Sequence, residues 1–177
     1  MGAPSQFMVT QVESALIALL NSTMPAAYNL ALHPVDPPPA AGIDIDALGG
    51  KDFDENGMLA LKSPAMRVEF GGCEYNPLRD NQRLTYEAGM PFDVICFVES
   101  LKSKASERYR TLLLVQAAVN QLAGARLALS DGTFSMPLTL TAVSKVQDRG
   151  GPVDQAFAIT VLVNGIAQYN GPNGGNV

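Results

Sequence analysis

The strongest chemical pattern in the chain is Asp52-Phe53-Asp54-Glu55-Asn56-Gly57, which matches the first half of a calcium loop. Oxygen-bearing side chains on alternate residues, Asp52, Asp54 and Asn56, can converge on one cation, and the glycine permits the sharp turn. The pattern then breaks. Its twelfth position is Ser63, which has no carboxylate, and Pro64 follows where a helix should continue. The same residues equally describe an acidic surface turn closed by Asn-Gly. His33, the single histidine, precedes Pro34 and has no Ser, Cys or acid partner close in sequence. It reads as a loop residue rather than half of a catalytic pair. Asp44 and Asp46 are two apart in a loop, which gives no reason for acid–base chemistry. Neither a cofactor nor an enzymatic activity is expected.

Charge is sparse and unevenly placed. Charged residues make up 16% of the 177 and hydrophobic residues 47%, with a net charge of −5. Between Asp36 and Met58 lie Asp36, Asp44, Asp46, Asp52, Asp54 and Glu55 against Lys51 alone, and the remainder is balanced at 11 acidic and 11 basic residues. No global basic field exists to hold a phosphate backbone. Lys102, Lys104, Arg108 and Arg110 form the basic cluster. It has three readings: a solvated helix end, a local nucleic-acid contact beside Tyr109, or a partner for the acidic segment in the same chain or a neighbour. A surface this poor in charge has apolar area to cover, and association is the usual way. Cys73 and Cys96 lack metal or disulfide spacing, so a reduced setting is expected. Met1 to Met8 carry neither a basic nor an apolar signal region, and the run Ala15 to Leu20 is too short to span a bilayer, so no membrane partner is expected.

These residues need elements to hold them. Val9, Val12, Leu16 and Leu19 put one apolar face on a helix over about 5–21, started by Ser5 or by a capping box at Thr10–Glu13 and ended by Met24-Pro25. Asn29 to Val35 reads as extended, and 37–63 as a long acidic loop insert with room for a small hairpin. Ala65 to Phe70 alternates as a strand, 74–90 is irregular, and Phe92 to Glu99 is a strand with Ile95 and Phe97 on the face opposite Phe92, Val94, Cys96 and Val98. A second helix spans 103–123, with Leu112, Val115, Val119 and Leu122 as its stripe, Leu113, Leu114 and Ala117 off it, and Gly124 as its stop. Strands follow at 126–129, 138–146 and 154–164, and 169–177 is a Gly/Asn/Pro tail expected to be flexible. The fold class is α+β in a single domain. A mainly antiparallel sheet of about four strands carries two helices on one face, with a parallel βαβ unit around 92–129 as the alternative.

The run Ala65-Met66-Arg67-Val68-Glu69-Phe70-Gly71-Gly72, the strand Phe92 to Val98, the helix from Arg108-Tyr109-Arg110 through Leu112-Leu113-Leu114 to Leu122-Ala123-Gly124, and the closing strand pair together resemble the tail terminator proteins of long-tailed phages. The small tail proteins of Mu-like prophages are the nearest likeness. It covers roughly Gln6 to Asn164, interrupted by an insert longer than the family pattern leads one to expect. The resemblance implies a non-enzymatic homohexameric ring that caps the tail tube, stops its polymerisation and presents a surface to the head-side connector. It further implies a place in the virion tail or neck after assembly in the host cytoplasm, a tube protein and possible sheath as neighbours, and DNA that passes through without specific binding. Beside that resemblance, the low charge and the apolar off-faces lead us to expect Ile95, Phe97, Leu113 and Leu114 to gain burial between subunits, with Arg67 and Glu69 at a polar edge, and Lys102, Lys104 and Arg108 as interface residues if they pair with the acidic insert of the same chain or a neighbour. The competing readings put the apolar residues under the chain's own loops. They make the protein another neck or tail-completion component, or a calcium- or small-ligand-binding module using 44–57.

Overall fold

A computed structural model describes residues 9–72, 74–78, 85–99, 103–130, 132, 134–148 and 151–168. The elements are α1 (Val9–Leu32), β1 (Asp44–Ala47), β2 (Ala65–Phe70), β3 (Glu74–Leu78), β4 (Thr85–Phe97), α2 (Lys104–Leu122), β5 (Thr139–Asp148) and β6 (Gly151–Gln168). The strands form one sheet of six in the order β1-β2-β4-β6-β5, with β3 paired to β4 beyond the reach of β2. Every pairing is antiparallel except β1 with β2. The α+β class with two helices stands as expected. The strand count is larger than four because β1 arises inside the insert and, where an irregular 74–90 was expected, 74–78 form β3 and 85–90 begin β4. The βαβ alternative is absent. Residues 126–129 contribute an isolated bridge, Ala128 to Phe134, and the chain leaving α2 returns as β5 against antiparallel β6.

Helix α1 runs straight through the proline expected to end it. Pro25 has no N–H to give the Asn21 carbonyl, and proline inside a helix costs about 3 kcal/mol relative to alanine. The opposing term is burial. Val12, Leu16, Leu20, Met24 and Tyr28 form a stripe at every fourth residue, all packed in the core. Two of those five lie at or beyond Met24, and each large apolar side chain taken from water contributes about 1.5–3 kcal/mol. Helix therefore continues to Leu32 where an extended segment was expected, and residues 5–8 of the predicted start lie outside the described residues. By length and composition α1 is apolar enough to cross a membrane, yet here its stripe lies against the sheet.

Helix α2 begins where expected, and Ser103 caps it, its Oγ accepting from the Ser106 N–H at 3.1 Å. It ends at Gly124, whose φ of 72° suits glycine. Its buried face is turned from the expected stripe. Leu114, Val115, Ala118 and Leu122 face the core with Thr111, whereas Leu112 points to solvent. The two helices pack on each other, α1 reaching over β1 and β2 and α2 over β4, β5 and β6. Beneath them Met66, Val68, Phe92, Val94, Cys96, Phe157, Ile159, Val161 and Val163 fill one face of the sheet. This is the inward face the alternation of these strands predicts. Burial pushes the Cys96 thiol up to about 12.

Candidate functional site

Over β2 and the end of β4 the opposite face of the sheet is covered by the insert, and that cover starts with one arginine. Arg67 lies on β2 with its side chain away from the helices, paired across the ladder with Ile95. It is only 3% exposed. Its Nε donates to Asp52 Oδ1 at 2.8 Å, and its Nη2 to Asp44 Oδ2 at 2.6 Å. Its Nη1 donates to the carbonyls of Asp44 and Met66 at 2.8 and 3.0 Å. Burial alone would lower the Arg67 pKa, but hydrogen bonds and charge from Asp44 and Asp52 outweigh it and raise the value. Asp52, equally buried, spends its second oxygen on the Gly49 N–H at 2.9 Å. A buried charge is tolerated where both its hydrogen bonds and its counter-charge are supplied, as here.

Around this pair the insert is ordered structure. Asp44 to Ala47 adds a parallel strand to β2, and Gly50–Asp52 makes a single helical turn. Phe53 and Leu59 then bridge as a short hairpin. The Asp54 N–H donates to the Met58 carbonyl and the Ala60 N–H to the Asp52 carbonyl, both at 2.8 Å. Asp54 Oδ1 accepts from the N–H groups of Asn56 and Met58, also at 2.8 Å, and Gly57 completes the turn with φ of 74°. Leu61, with Leu48 and Leu59, covers Ile95, Phe97, Ala65, Ala156 and Ala158. At the surface Lys51 pairs with Asp46, which lowers the carboxyl pKa and raises the ammonium pKa.

The arrangement fixes where each expected site residue lies among the described residues. Asp52 turns inward to Arg67, Asp54 caps its own hairpin at the surface, and Ser63 Oγ accepts from the Glu99 N–H at 2.8 Å. The half-loop Asp52, Asp54, Asn56 is thus an Asx-type turn, and its oxygens do not meet as a calcium cage. Among the described residues no cluster of three or more acid, His or Cys side chains could hold a metal. Arg67 is no polar edge, because the insert needs its charge inside. Ile95 and Phe97 lie under the chain's own insert, and Leu114 faces the core from α2, so these three are buried within the chain. Leu113 is half-buried against the same core. Glu69, Lys104 and Arg108 are exposed, and Lys102 falls outside the described residues. The insert's ion pairs go to Lys51 and Arg67, so among the described residues Lys104 and Arg108 are not the acidic segment's partners within the chain.

Two further features were not expected from sequence. A cleft of about 310 Å³ opens where α1, the end of the insert and the end of β4 meet, with Pro25, Tyr28, Ser63, Val98, Glu99 and Arg110 among its walls. Burial raises the Tyr28 pKa and the Arg110 charge offsets part of that. Ser63 is already tied to the Glu99 backbone, and His33 stands outside, its N–H closing the last turn of α1 on the Asn29 carbonyl. Among the described residues the walls therefore bring no nucleophile beside a base. The second feature is exposed apolar side chains grouped beside charge: Phe53 and Met58 on the insert hairpin with Asp54 and Glu55, and Tyr109 and Leu112 on α2 with Lys104 and Arg108.

No family model matches the chain. No curated protein matches it either. Among solved structures it is similar to a chain from the virion of a native gene transfer agent (GTA) particle, at a TM-score of 0.46 and 14% identity, over 93% of this chain and 100% of that one.

Proposed function

We propose that this protein is a non-enzymatic structural component of a phage-like virion, acting as a tail terminator. Copies of the chain form a ring, most simply a hexamer, on the last ring of the tail tube, stop its growth and offer a surface to the head-side connector. The observation that carries the reading is where the apolar surface remains. Around β2 and the C-terminal half of β4 both faces of the sheet are covered within the chain, one by helices and one by the insert. Large apolar side chains nevertheless stay exposed on the outer side of α2, on the insert hairpin, at Phe134 and Met136 in the segment before β5, and at Val143 on the edge strand β5. Such side chains, on a chain with 16% charged residues, suit a subunit that meets several neighbours. The strand–strand–helix–strand–strand order likened above to tail terminators points the same way. An acidic protein also suits a passage for DNA, since like charge prevents sticking.

The test is assembly. Purified chain added to polymerising tail tube protein should cap tubes and shorten them in a dose-dependent way, with a ring density at one end by electron microscopy. Tubes of unchanged length and bare ends would refute the terminator role. Rings bound at a different joint would favour another neck or tail-completion role.

A further inference from the structure

We infer that the insert hairpin of one copy docks on the outer face of α2 in the next copy, making a head-to-tail contact between two different surfaces. This deepens the proposed function and rests on it, because it names the surfaces through which the ring would close. The two surfaces match in chemistry. On the hairpin, Phe53 and Met58 are 38% and 43% exposed and flank the acids Asp54 and Glu55. On α2, Tyr109 and Leu112 are 64% and 41% exposed and sit with the bases Lys104 and Arg108. Residues 104, 108 and 112, and 109 beside them, are spaced by about one turn, so they share one side of the helix. Each element thus carries exposed apolar side chains near two like charges, and the charges are opposite in sign.

Their positions decide between contact within a chain and contact between chains. Ile95 and Phe97, under the insert with its hairpin residue Leu59, project from β4 on the face opposite Phe92, Val94 and Cys96, which α2 helps to cover. The hairpin and α2 therefore lie on opposite sides of the same sheet. Folding back would require the hairpin to leave its seat, where Asp52 is held by buried Arg67. A surface pointing one way and its complement pointing the other generate a heterologous contact, the kind that closes into rings or runs on as a filament. The hairpin is also preorganised for docking. Its tip is fixed by the Asp54 hydrogen bonds and its base by the Arg67 pair, so little conformational freedom is lost on contact.

Charge reversal and exchange test this in the full-length chain. Lys104→Glu with Arg108→Glu makes both surfaces acidic, and Glu55→Lys with Asn56→Lys gives the hairpin a net positive charge like that of α2 while leaving Asp54 to cap its tip. All four side chains are exposed, so each variant should keep the parent unfolding curve, measured in parallel. Each variant alone should lose self-association by roughly tenfold or more, read by sedimentation, with a smaller loss at high salt. An equimolar mixture of the two should regain it, because the reversed patches then complement one another in alternation. Association unchanged in both variants, or a mixture that fails to recover, overturns this contact while leaving the ring itself standing. A parent chain that remains monomeric both alone and on tail tubes removes the proposed function and this contact with it.

Discussion

Over β2 and the end of β4, the two faces of the sheet are covered by opposite means. On one, two helices lay regular apolar stripes over β-branched and aromatic strand residues, and the contact is almost wholly side-chain packing. On the other, the insert covers Ile95 and Phe97 with Leu48, Leu59 and Leu61, and a buried Arg67–Asp52 pair anchors it. Packing is non-directional and degrades gradually when atoms are removed. A buried ion pair is directional, and removing one partner strands the other in a dry site. The helix face should therefore tolerate substitution more evenly than the insert face, which depends on one contact.

The sharpest way to break this contrast is Arg67→Met. It should cost about 3–5 kcal/mol in urea unfolding, because Asp52 keeps its charge with no counter-ion. Hydrogen exchange should rise across 44–62 well before it rises in α1. Adding Asp52→Leu should recover most of the loss, and a double variant no better than the single one would show that the pair is not what anchors the insert. On the helix face, Leu20→Ala should cost about 2–5 kcal/mol with exchange rising throughout the core rather than in one segment. Pro25→Ala should stabilise by about 1–3 kcal/mol, since it restores a helical N–H at a position the fold already holds helical. A loss of stability there would mean the proline shapes the cleft beside Tyr28.

The buried Cys96 adds a pH signature to the helix face. Its folded pKa is raised by burial to about 12. A raised value means the contribution is whole below the unfolded thiol's pKa and is lost as pH climbs toward the folded one. Stability should thus fall by on the order of 1 kcal/mol per pH unit above about 9, and Cys96→Ala should flatten that slope. The smallest effect belongs to Asp44→Asn. Asp44 is 45% exposed, so its share of the Arg67 network should be under about 1 kcal/mol, and a larger loss would make the half-exposed carboxylate an equal anchor.

The helix face was legible because its information is periodic. Met66 and Val68, Phe92 to Val98, and Phe157 to Val163 alternate, and the strands fall where alternation puts them. The exceptions are instructive. Pro25 looks like a stop because the penalty is local, while Met24 and Tyr28, which outweigh it, are rewarded only by distant strands. The stripe on α2 was turned because leucines crowd most of its circumference, and the choice of buried face belongs to the sheet. The insert face was not legible. Its acids read as surface charge or a cation loop, and nothing local tells Asp52 that Arg67, 15 residues on, will take it inside. The odd apolar pair Ile95 and Phe97 did signal a second cover, but not whether the cover was the chain's own. The hairpin and α2 surfaces became visible only once folding had decided which apolar residues stay outside.

The most direct test of the whole account is the mass of the native, unmodified protein measured by sedimentation and native mass spectrometry, alone and bound to the ends of tail tubes. The account predicts a closed assembly, most simply six copies of the 18.7 kDa chain, in at least the tube-bound state. A single chain of that mass in both states, indifferent to the tubes, would contradict it.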